Sequence, residues 1–152
     1  AETKPEILPS HPGHEVRSAR LAAEFCARFR APAEVRDLAI LVAEYHVKIH
    51  RVAELRPNSL LELLENLDAF RRPARIADIL LACQCDALGR GFSIPNDYPS
   101  AAYIPAALEA ARTVDMNAIV AATGGGAAVK AALREARLAT VTAFVKRTRS
   151  ES

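Results

Sequence analysis

Alanine is the feature that most constrains this chain: 31 of its 152 residues are Ala, and Leu, Arg and Glu are its commonest companions. Ala forms helix at the lowest entropic cost of any residue, and its three companions lose little rotamer freedom there, whereas strands favour β-branched and aromatic side chains. A core made from so many small side chains forms by close approach of helix backbones. The expected fold is therefore all-α, as a single helical domain. No alternate-residue pattern persists anywhere, and no segment repeats another. With 51% hydrophobic and 25% charged residues and a net charge of +2, the balance suits one soluble globular domain. No apolar run approaches the roughly 18 residues of a membrane span, and the opening AETKPEILPS lacks the apolar stretch of a signal peptide. The expectation is a cytoplasmic protein with no membrane partner.

Punctuation along the chain sets the helix forecast. Residues 1–12 hold three prolines without periodicity and read as an extended leader. Helices are predicted over 14–30, with Leu21, Ala22, Phe25 and Phe29 as the apolar face, and over 33–50, with Val35, Leu38, Ala39, Val42, Tyr45 and Ile49 at the 3.6-residue period. Ser59-Leu60-Leu61-Glu62 reads as a capping box opening a helix over 59–70, and Pro73 starts another that ends near Gly89. A Gly/Pro/Asn loop follows over 89–99. Two further helices are expected over 101–114 and 116–122, with Pro105 kinking the first or delaying its start. After Gly124-Gly125-Gly126, a last helix over 127–147 lies in a stretch, 127–152, with six bases against two acids. The domain reading is a leader at 1–12, a helical body at 13–122, and a glycine break with a basic helix at 123–152.

Few residues have the chemistry of a site. The histidines are His11, His14, His46 and His50, and imidazole is the commonest transition-metal ligand. His46 borders the apolar stripe of the second helix and should face inward or flank the core. Asp86 borders the stripe of the 73–89 helix, where an unpartnered carboxylate is costly, so a cation, an Arg or a backbone donor is expected beside it. A metal shared by His and Asp satisfies both, whereas lone histidines at helix edges are usually structural and an Asp in the C-terminal half of a helix is often simply exposed. His46 and His50 lack the intervening glutamate of a zinc-protease motif, and no phosphate loop, nucleotide-binding glycine fingerprint or nucleophile elbow occurs. Cys26, Cys83 and Cys85 are too few and too spread for a disulfide framework or a four-cysteine zinc site. Arg71, Arg72 and Arg75 cluster at a helix junction. Their guanidinium forks suit RNA phosphates, and equally suit helix C-termini and pairs with Asp68 or Glu65.

Several stretches together resemble a known family: His14-Glu15 with Arg17-Ser18; Arg36-Asp37-Leu38-Ala39; Ile49-His50-Arg51-Val52 with Glu54-Leu55-Arg56-Pro57; Asp68-Ala69-Phe70-Arg71-Arg72-Pro73; and Leu80-Leu81-Ala82-Cys83 with Asp86. In order and spacing, over about residues 10–120, they resemble the C-terminal HD region of the bacterial multifunctional CCA proteins, tRNA nucleotidyltransferases that also carry a phosphohydrolase domain. Gly126, Val129, Leu133 and Arg137 resemble that family's terminal segment more weakly.

The resemblance implies an HD-like bundle with additional C-terminal helices. It also implies one divalent metal of Mg or Ni type, held by a His, a His-Asp doublet and a later Asp. Asp86 matches the later Asp, and His11, His14 and His46 match family histidines that line the site. No His-Asp doublet occurs in this chain. In the family it stands just before a stretch like Ala1 to Pro9, so the chain reads as a fragment cut after it. The implied partners are tRNA, with Arg71, Arg72, Arg75 and the Lys146-Arg147 tail as phosphate contacts, and the missing N-terminal nucleotidyltransferase head; a homodimer is left open. The fragment is expected to catalyse neither CCA addition nor phosphohydrolysis, and to bind no metal tightly. The rival expectation is a non-catalytic helical RNA-binding or oligomerisation module.

Overall fold

The computed structural model describes residues 13–89, 98–124 and 126–151. Their order is α1 (His14–Arg28), α2 (Ala33–His50), a 3-10 turn (Val52–Glu54), α3 (Pro57–Asn66), α4 (Arg75–Gly89), α5 (Pro99–Arg112), α6 (Met116–Thr123) and α7 (Ala127–Ser150). No strand occurs among the described residues, so the fold is all-α as composition requires. None of these helices is long and apolar enough to cross a membrane. The leader and most of the Gly/Pro/Asn loop forecast from sequence lie outside the described residues.

Local signals account for most helix boundaries. Pro57 and Pro99 open α3 and α5, where their fixed φ suits the first turn and their missing N–H is no loss. The Asp115 carboxylate accepts from the Asn117 and Ala118 N–H groups and caps α6. Three expectations need correction. The Ser59 capping box does not open α3, which starts two residues earlier with no side-chain cap, because Pro57 has already set the helical φ. Nor does α3 reach Phe70. It stops at Asn66 in a Schellman motif: the Ala69 N–H donates to the Leu64 carbonyl, the Asp68 N–H to Glu65, and Asp68 takes φ +54°. Pro105 leaves the start of α5 at Pro99 undelayed and lies inside the helix, where it has no N–H to donate.

The chain divides into two compact units. The first comprises α1, α2 and the stretch of α4 from Ala77 onward. Its buried apolar side chains are Cys26, Ile49, Ile79, Leu80 and Cys83. The apolar face predicted for α1 is not closed over: Phe25 and Phe29 are both 62% exposed, their rings 4.5 Å apart, and Val35 of α2 is also exposed.

The second unit comprises Arg51–Ile76 and the chain from Asp97 onward. It holds a denser core, with Leu60, Leu61, Leu63, Leu64 and Leu67 meeting Ile104, Val141 and Phe144 as further fully or nearly fully buried residues. α7 packs along α3, α5 and α6. Polar anchors fix its position: Arg134 donates to Glu65 (3.3 Å) and Asn58 (3.0 Å), and the Arg137 guanidinium lies 3.8 Å from the Phe70 ring centroid. At its far end Arg149 donates to the carbonyls of Ala53 (3.2 Å) and Leu55 (3.0 Å).

Candidate functional site

The residues with site chemistry gather in the first unit. α2 carries His46 and His50 four residues apart, hence on one face. Their ring centroids lie 5.9 Å apart, edge to face. His46 is buried, as its place beside the apolar stripe predicts, and its Nδ1–H donates to the Ala43 carbonyl at 3.1 Å. That bond fixes the tautomer and directs Nε2 away from the helix backbone. The His50 Nε2–H donates to Asp86 Oδ2 at 3.1 Å, with both side chains part-buried. The partner that the Asp86 carboxylate requires is thus an imidazole from α2.

A cleft of about 640 Å³ opens beside this cluster, walled by Leu21, Phe25 and Cys26 of α1, Val42 and His46 of α2, and Asp86 of α4. Cys83 lies fully buried one turn before Asp86, and burial, then the nearby carboxylate, pushes its thiol up to about 12. A thiol held protonated in this way is a poor nucleophile at neutral pH.

Of the predicted metal residues, the structure brings His46 and Asp86 to the same cleft. His14 is the first residue of α1, and His11 lies outside the described residues. His50, outside the ligand set that the resemblance implies, donates to Asp86. Its spacing from His46 is the signal that sequence offers. Two imidazoles and a carboxylate are suitable donor types, and among the described residues no group of three or more His, Cys, Asp or Glu side chains is placed to hold a metal ion.

Arg71, Arg72 and Arg75, in the second unit, all converge on one carboxylate. Asp68 lies 3.9 Å from Arg71, 3.6 Å from Arg72 and 4.0 Å from Arg75, and Arg75 also donates to the Leu67 carbonyl at 2.7 Å.

Fold and cluster together define an all-helical protein with a His/Asp-lined cleft. Comparison with known proteins gives the family. The chain is 52% identical over 120 residues to a multifunctional CCA protein of Paracidovorax citrulli, covering 78% of this chain and 28% of that protein. It is 47% identical over 140 residues to one of Cupriavidus taiwanensis (91% and 34%), and 45% identical over 142 residues to one of Burkholderia multivorans (93% and 34%). By sequence the chain belongs with the multifunctional CCA proteins, and it spans about a third of the length of these curated relatives. No family model matches the chain, and no solved structure matches it.

Proposed function

We propose that this chain is one portion of a cytoplasmic CCA-adding tRNA nucleotidyltransferase that also hydrolyses phosphate esters, and that on its own it performs neither reaction. The observation that carries this reading is identity of 45–52% over most of the chain to multifunctional CCA proteins about three times as long. Nucleotide addition needs a polymerase head with paired metal-binding carboxylates, and nothing in the sequence supplies one. Within the HD-like portion, Asp86, His50 and His46 form the phosphohydrolase side of the protein. His50 and Asp86 hold each other in place, and the His46 ring is fixed by Ala43. Divalent-metal hydrolysis needs more ligands than these, because a metal must be held firmly before it can acidify a water or polarise a phosphoryl oxygen.

Two assays test the reading. Calorimetric titration of the chain with nickel or magnesium should show no tight site, and p-nitrophenyl phosphate should not be hydrolysed. Stoichiometric binding accompanied by turnover refutes the incomplete-site argument. In the whole protein, Asp86→Asn should abolish phosphohydrolysis and spare CCA addition to tRNA lacking its 3′ nucleotides. Absence of CCA addition by the unsubstituted whole protein refutes the family function.

A further inference from the structure

We propose that Arg56, Lys146 and Arg149 form a contact surface for the phosphodiester backbone of RNA, and that this surface takes the place of the Arg71–Arg75 cluster. The inference deepens the reading above, resting on it only for tRNA as the RNA in question.

Charge compensation separates the two groups. Arg71, Arg72 and Arg75 share the Asp68 carboxylate, which already cancels part of their field. Arg51 is likewise committed, donating to Glu54 through Nε and, at 2.6 Å, through a terminal nitrogen. Arg149 differs. Its hydrogen bonds go to the neutral carbonyls of Ala53 and Leu55, which hold the guanidinium in place without offsetting its charge. Among the described residues no acid lies within ion-pair distance of Arg56, Lys146 or Arg149, and all three are exposed.

Geometry brings the three together. The Arg149–Leu55 bond sets the last turn of α7 against the residue immediately before Arg56. Lys146, three residues earlier on α7, sits one turn back and about 60° around the helix from Arg149. The helix dipole favours cations in the last turn of α7 and so accounts for Arg149, but not for Lys146, which lies before that turn. It does not account for Arg56, which occupies the N-cap of α3, the end where the dipole favours an anion. An anion bound here is attracted by all three cations and by that helix end.

The surface is open and spread over two elements, which suits successive phosphates of a polymer better than one small anion. A membrane surface fits less well. The large apolar side chains exposed in this unit are Met116 and Val120 of α6, so α3 and α7 offer no apolar anchor for insertion.

Fluorescence anisotropy with labelled tRNA, from 25 to 200 mM KCl, reads the surface in the intact chain. With about three phosphates neutralised, log affinity should fall against log salt with a slope near −2 to −3. Arg56→Glu with Lys146→Glu should weaken binding about tenfold or more at low salt and flatten the slope by about 2. Arg71→Ala with Arg72→Ala should stay within about twofold of the parent chain. Unchanged far-ultraviolet circular dichroism establishes that the variants fold, and Arg56→Gln with Lys146→Gln should fall between reversal and parent. Wild-type binding by the reversal variant overturns the proposal. So does an equal loss in the Arg71/Arg72 variant, or equally tight capture by phosphatidylserine vesicles. Poly(U) bound as tightly as tRNA upholds the surface while removing its tRNA preference. Failure of CCA addition in the whole protein removes the parent reading and leaves the salt slope untouched.

Discussion

Asp68 offers the most discriminating test of how this chain holds itself together, because it does two separable jobs. As the C′ residue of α3 it adopts φ +54°, a region that side chains with a Cβ enter at a cost of about 1–2 kcal/mol and that Asp and Asn tolerate better than Ala. Its carboxylate also faces three arginines at 3.6–4.0 Å. Arg71 and Arg72 are 80% and 56% exposed, so solvent screens their pairs to a few tenths of a kcal/mol each. Arg75 is only 16% exposed and contributes more. Asp68→Asn keeps the backbone tolerance and removes the charge, for a loss of about 1 kcal/mol. Asp68→Ala removes both, for about 2 kcal/mol. Asp68→Gly removes the charge and relaxes the backbone, so it should be the mildest of the three. In urea unfolding followed by circular dichroism, each kcal/mol moves the midpoint by about 0.5 M at a typical slope for a chain of this size. The expected order of stability is wild type, Gly, Asn, Ala. A glycine variant less stable than the alanine variant refutes the backbone argument, and an asparagine variant identical to wild type refutes the electrostatic one.

Two other outcomes follow from burial. Ile49, fully buried near the end of α2, should cost about 2–4 kcal/mol on replacement by Ala, read from the same urea midpoints; a loss below about 1 kcal/mol means the first unit is loosely packed there. Cys85 is exposed whereas Cys26 and Cys83 are buried, so a thiol reagent at pH 8 should label Cys85 rapidly and the other two only after unfolding. Because burial raises the Cys83 thiol from 9.0 to about 12, the folded state keeps a proton that the unfolded state releases. Its contribution to stability is complete below pH 9 and lost as pH rises from 9 towards 12, a loss that Cys83→Ala should lessen.

What the sequence makes legible is mostly what single residues decide. Ala-rich stretches give helices, and periodicity turns His46 inward. Where a boundary depends on an unexpected residue in the left-handed region, the pattern runs past it. Asp68 at φ +54° ends α3, and Arg30 at φ 51° follows α1. Both sit where glycine is the usual signal, so composition gives no warning. Site residues divide in the same way. Spacing shows that Asp86 needs a partner, yet that the partner is His50 follows from how α2 meets α4, which no local pattern encodes. The arginine cluster is ambiguous in sequence because a guanidinium fork serves phosphate and carboxylate alike, and that Asp68 lies among all three follows from the turn after α3.

The His50–Asp86 pair of the first unit supplies a last test. It shares no residue with the contacts of Asp68 in the second unit, and features without shared partners usually do not couple. His50→Ala leaves a part-buried carboxylate without its imidazole and should cost about 1–2 kcal/mol. Combined with Asp68→Asn, the losses should add to within about 0.5 kcal/mol in urea unfolding. Strict additivity means that the Asp68 knot and the His50–Asp86 pair are independent features, so substitutions probing the cleft can be read without correcting for the arginines. A coupling larger than that, of either sign, refutes this independence.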